Sequence, residues 1–70
     1  MNKEIALATL IWKARNNKNL YIYQLSHETG VSRHTIKKCE NGLNLSTFFK
    51  IIKLLKHLEI PPEEIYNLID

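Results

Sequence analysis

The stretch GVSRHTIKKCENG, Gly30 to Gly42, decides how this chain is read. Gly30 can take the left-handed backbone conformation that ends one helix without a Cβ penalty. Ser32 offers an oxygen to the unsatisfied N–H groups that open the next helix. Val31, Ile36 and Cys39 supply an inward side, and Ile36 and Cys39 sit three apart on one helical face. Arg33, His34, Lys37 and Lys38 are then left pointing outward, and Gly42 is placed to stop the helix. Four potential cations on barely two turns repel one another. A polyanionic partner removes that cost, and a short capped helix behind a tight turn suits entry into a DNA major groove.

Length and composition set the frame. The 70 residues suggest one domain spanning 1–70, and 44% hydrophobic residues suit a compact helical bundle. No 18-residue apolar run is present, so no membrane span is expected. Ile5 to Trp12 is apolar, but no small-residue cleavage site follows, so no signal peptide is expected. A single cysteine cannot form an internal disulfide, which fits a reducing cytoplasm. The net charge of +3 is mild, so its clustering matters more than its total.

Helical periodicity dominates, and the two glycines and two prolines all fall at element boundaries. Five helices are predicted. The first runs from about Lys3 to Asn16 with Asn2 as cap and Ile5, Ala8, Ile11 and Ala14 as inner stripe. A polar loop, Asn16 to Asn19, leads to Leu20 in the core. The second helix spans Tyr21 or Ile22 to Thr29 with Leu25 inward, and the third Arg33 to Glu40. After a loop from Asn41 to Leu45, Ser46 or Thr47 caps a fourth helix reaching about Leu58. Phe48, Ile51, Ile52, Leu55 and Leu58 give it a buried face, while Lys50, Lys53, Lys56 and His57 lie mostly opposite. Ile60 closes the core. Pro61 and Pro62 open the last helix, and Glu63 and Glu64 complement its dipole.

The central segment resembles the helix-turn-helix of phage Cro and repressor proteins, the XRE-like family. That group also includes plasmid regulators, restriction–modification controllers and some antitoxins. Leu20, Leu25, Gly30, Val31, Ser32, Thr35, Ile36, Glu40, Asn41 and Gly42 stand at matching positions, and the similarity runs from about Ile5 to Leu68. G-V-S alone is a weak sign. The string S-R-x-T-I-x-x-x-E-N-G with downstream helices at the right spacing is specific. The resemblance implies an all-α, lambda-repressor-like DNA-binding domain: a compact five-helix bundle containing a helix-turn-helix.

The resemblance also distributes roles. Arg33, His34, Lys37 and Lys38 become base-reading candidates; an Arg can bond guanine O6 and N7 with two donors. Lys18, Tyr21, Gln24 and Lys50 are candidates for the DNA backbone, with Ser32, Thr35 and Asn41 at the ends of the third helix. A solvated polar face is the plainer reading of such charges, and Lys53 and Lys56 fit it. Arg15 and Glu40 match a pair that often joins the first and third helices, with a geometric role.

The chain departs from the pattern in places. Tyr21 and Ile22 stand where the family has Ser or Thr and then a phosphate-holding Gln. Ile22 cannot replace that contact; Tyr21 can do so through its hydroxyl or else pack on a neighbour. Leu43 and Asn44 stand where Lys or Arg is common, which weakens charge anchoring there. Ser26 replaces a usual alanine, and Cys39 replaces Ile or Leu and is expected to be a core side chain. His27, His34, Cys39 and His57 show no metal-ligand spacing, and no catalytic arrangement can be argued, so neither cofactor nor enzymatic activity is expected.

Together these readings point to a sequence-specific transcriptional regulator of double-stranded DNA, most simply a repressor on a palindromic operator. It would be cytoplasmic and nucleoid-associated when bound. Leu7, Leu10, Trp12, Tyr66, Leu68 and Ile69 exceed what so small a core needs, and are the expected homodimer surface. A regulatory protein partner is the other expected contact. The alternative is a protein-interaction module, such as an antitoxin or anti-repressor, or the DNA-binding end of a longer regulator.

Overall fold

The computed structural model describes residues 3–42 and 48–69, apart from the side chains of Phe48 and Ile69. Five helices follow in order: α1 (Lys3–Asn17), α2 (Ile22–Thr29), α3 (Arg33–Glu40), α4 (Phe48–His57) and α5 (Pro62–Ile69). No strand occurs among the described residues. The boundaries agree with the sequence reading to within a residue or so. The proposed caps Asn2, Ser46 and Thr47, and the departures at Leu43 and Asn44, lie outside the described residues.

Helices α1 to α4, with the turns after α2 and α4, supply the buried core, and α5 adds the partly buried Ile65. Ile11, Leu25, Val31, Ile36, Cys39, Ile51, Leu54, Leu58 and Ile60 are buried together, with Leu7, Leu10, Ala14, Leu20, Ile22, Leu55 and Ile65 packed partly against them. Helix α3 rests on α1 and α2, α1 also touches α5, and α2 touches α4. The segment with the cationic face is thus held from behind on two sides.

Two inner faces differ from those read in the sequence. In α1 the buried residues are Ala8, Ile11 and Arg15, while Ile5 is 52% exposed. Steps of three residues drift about 60° each around a helix, so Ile5, Ala8, Ile11 and Ala14 span about 180° and cannot all face one core. Steps of three and then four, from Ala8 to Ile11 to Arg15, stay on one face. In α4 the buried residues are Ile51 and Leu54, with Leu58 buried just beyond its end; Ile52 is exposed. The run FFKIIKLL is apolar on both flanks, so periodicity alone could not choose between Ile52 and Leu54.

Helix ends follow local chemistry. Gly30 has φ +78° and donates its N–H to Ser26 O, closing α2 in the left-handed form. The Thr29 hydroxyl donates to Leu25 O at 2.7 Å and accepts from Val31 N–H at 3.2 Å, which fixes the turn into α3. Asn19 and Glu59 take positive φ after α1 and α4 without being glycine. Pro62 is the first residue of α5, and the Pro61 carbonyl accepts from Glu64 N–H. Gly42 has φ +79°, and a Cβ there would lie 3.2 Å from the Ile5 side chain.

Candidate nucleic-acid interface

Helix α3 sorts its residues cleanly. Ile36 and Cys39 are buried, whereas Arg33, His34, Lys37 and Lys38 are all exposed. The four share one side because positions i, i+1, i+4 and i+5 cover one helical face. Ser32 opens the helix: its Oγ accepts from Thr35 N–H at 3.2 Å and donates to Thr35 Oγ1 at 2.9 Å. The Ser32 hydroxyl proposed for the DNA backbone is therefore also the N-terminal cap, and the Thr35 hydroxyl is its side-chain partner. Asn41 ends the helix, exposed, its N–H bonded back to Lys37 O and Lys38 O.

Arg15 anchors the other end of α3. Its Nε donates to Glu40 Oε2 at 2.7 Å, its Nη2 to Glu40 Oε1 at 3.0 Å and its Nη1 to Leu20 O at 2.7 Å. Both side chains are nearly buried, so the pair lies in a setting where Coulomb attraction is strong but desolvation is costly. All of this geometry serves the orientation of α3 against α1.

The flanking candidates are distributed around that helix. Tyr21 and Tyr23 stack with centroids 5.7 Å apart, and both rings are exposed. Gln24 accepts the Tyr21 N–H through Oε1 at 2.8 Å, so its carbonyl works as a helix cap. Tyr23, Gln24 and Arg33 line one surface hollow, which places α2 beside the start of α3. Lys18 reaches Glu59 at 3.5 Å on the surface, a contact that solvent screens. Lys50 is exposed on α4. His57 Nε2 lies 2.6 Å from Glu28 Oε1 and ties α4 to α2, a contact that the sequence reading missed; a His and a Glu 29 residues apart carry no periodic signal.

Of the six residues assigned to a dimer surface, Leu10 and Trp12 do not share a helical face. Leu7 and Leu10 are half-buried and pack against the core. Trp12, two positions from Leu10, points about 200° away around α1. It lines a cleft of about 390 Å³ with Arg15, Ile22, Lys37, Glu40 and Asn41. A continuous patch from Leu10 through Trp12 therefore does not form. On α5, Tyr66 is 65% exposed and Leu68 half-buried, and the Ile69 side chain lies outside the description.

Cys39 is buried, and burial, followed by the Glu40 charge, pushes its thiol above the ordinary range. Among the described residues no group of His, Cys, Asp and Glu could hold a metal ion. None of the described helices is long and apolar enough to cross a membrane.

A capped helix with an outward cationic face, packed on a preceding helix across a glycine turn, defines a helix-turn-helix DNA-binding fold. A family model described as helix-turn-helix matches residues 13–65, and the chain belongs to that Cro/repressor-type family. It is a DNA-binding transcription regulator whose partner is double-stranded DNA; the family's domains are typically non-enzymatic. No curated protein and no solved structure matches the chain.

Proposed function

We propose that the 70 residues act as one sequence-specific DNA-binding domain, a repressor that occupies a palindromic operator as a homodimer in the cytoplasm and at the nucleoid. The observation that carries this reading is the exposed set Arg33, His34, Lys37 and Lys38 on a helix fixed at both ends, by the Ser32 cap and by the Arg15–Glu40 pair. In this reading Arg33 and His34 meet base edges from the start of α3, Lys37 reaches one a turn later, and Lys38 serves a base or a phosphate. Tyr21, Gln24, Asn41, Lys18 and Lys50 hold the sugar–phosphate strands.

One such helix reads too few base pairs to mark a single genomic site, and twofold symmetry doubles the site. In this reading α5 carries the dimer contact, with Tyr66 exposed and Leu68 half-buried on different sides of the helix, and Leu7 and Leu10 are the candidates on α1. Repression then needs only occupancy: a dimer seated over a promoter excludes polymerase. Selection of bound duplexes from a random pool, followed by affinity measurements across salt concentrations, tests the reading. It expects an enriched palindrome and steep salt dependence.

Phe49, 79% exposed, and Tyr66 support a second reading as a protein-interaction module such as an antitoxin or anti-repressor, or the DNA-binding end of a longer regulator with a regulatory protein partner. That reading expects a stable heteromeric complex and no enriched operator.

A further inference from the structure

The cleft between α1, the start of α2 and the end of α3 borders the cationic face, because Lys37 belongs to both. Its charged groups are not equally available. The Glu40 carboxylate is held by Arg15, and every donor arm of Arg15 that bonds does so to Glu40 or Leu20. The Thr9 hydroxyl donates to Ile5 O at 2.9 Å. Ile22 offers no polar side-chain atom. The lining side chains whose donors bond no other described residue are Lys37, Asn41 and Trp12. Trp12 is 49% exposed, and its indole N–H has no partner among the described residues. An indole nitrogen donates and never accepts. Three donors around a neutralised carboxylate suit an anionic oxygen. A helix seated in the major groove is flanked by phosphate strands, so a cleft beside its C-terminal half meets one of them.

We propose that Trp12 is a DNA-contact residue: its indole N–H donates to a backbone phosphate oxygen of the duplex that α3 enters, beside Lys37 and Asn41. This rests on the DNA-binding reading above and moves Trp12 from the dimer surface to the nucleic-acid surface. The contact positions the protein and reads no base, since phosphates are the same at every step.

Trp12 is the sole tryptophan, so its emission reports on this cleft alone. The test titrates the full chain with two probes, the duplex selected from a random pool and a mixed-sequence duplex at low salt. Emission is followed beside the anisotropy of labelled DNA. Trp12→Phe keeps a ring and removes the donor. The expected result is a change in Trp12 emission that tracks binding of both duplexes. Trp12→Phe should bind each about tenfold more weakly, as loss of a bond to a charged group implies. The preference between duplexes and the salt slope should be unchanged, because no cation is lost, and the thermal midpoint of the free protein should also stay put. DNA binding with unaltered emission and unaltered Trp12→Phe affinity would overturn the inference and leave the DNA-binding reading intact. Emission that follows protein concentration without DNA, with a shifted sedimentation of Trp12→Phe, would return Trp12 to a protein interface and also overturn it. Failure of both proteins to bind either duplex would overturn the underlying reading instead.

Discussion

Arg15 and Glu40, 25 residues apart in sequence, meet through two parallel hydrogen bonds of 2.7 and 3.0 Å that tie α1 to the end of α3. A planar guanidinium matched to a carboxylate in this way fixes direction as well as distance. Because both groups are nearly buried, either one left alone would be an unpaired charge out of water. The pair therefore links the stability of the bundle to the orientation of its cationic helix.

Arg15→Ala and Glu40→Ala should each lower stability by about 3–5 kcal/mol, the usual cost of stranding a buried charge. The double variant should cost far less than the sum, since neither charge is then stranded. Chemical denaturation of the four proteins measures the coupling. A value near zero would mean that the contact is incidental.

Arg33 is exposed in the first turn of α3, where a base edge is within reach of a long side chain. Arg33→Ala should cost about 1–3 kcal/mol on the preferred duplex and relax selectivity at one base pair. Equal losses on preferred and random duplexes would assign Arg33 to the backbone.

The buried Cys39 thiol should react slowly with thiol reagents in the native protein, and Cys39→Val should keep DNA binding. The sign of its pH effect follows from its raised pKa. Below about 9.0, the ordinary thiol value, the folded and unfolded chains both keep the proton, and the native packing is fully retained. Above it the unfolded chain ionises first, so stability should fall as pH rises towards and through the folded pKa. The Cys39→Val protein should lose less over the same window, and parallel thermal scans compare the two. Fast labelling at neutral pH would point to a working thiol.

Leu68→Glu or Tyr66→Glu should weaken self-association while leaving the helical circular dichroism largely unchanged. Binding should fall by a similar factor on every operator, because α5 reads no bases. Sedimentation checks the first effect and binding isotherms the second. A monomer at high concentration, free and on a single duplex, would rule out the dimer.

The helix order was legible because Gly30, Gly42, Pro61 and Pro62 each sit at a boundary and each limits the backbone in a known way. The division of α3 was legible too, since Ile36 and Cys39 are its only apolar side chains and must face inward. Where several apolar residues competed for one face, sequence gave no ranking: Ile52 against Leu54, and Ile5 against a stripe that includes Arg15. Charged Arg15 is buried only because Glu40 and Leu20 O receive it, which no count of hydrophobic positions reveals. Hydrophobicity alone groups Trp12 with Leu10, although two residues along a helix is nearly the opposite side. Its neighbours Lys37 and Asn41 come from another helix, so the cleft they share exists only in the folded chain.

In the proposed complex the exposed cations of α3 read duplex DNA as a symmetric pair. Selection of bound sequences from a random duplex pool tests it most directly. The expected outcome is an imperfect palindrome whose half-sites lie about 34 Å apart, one turn of B-DNA, and whose enrichment disappears when Arg33 and Lys37 are replaced together by alanine. A pool that remains unenriched at low salt, or an enriched site that survives that double replacement, would contradict it.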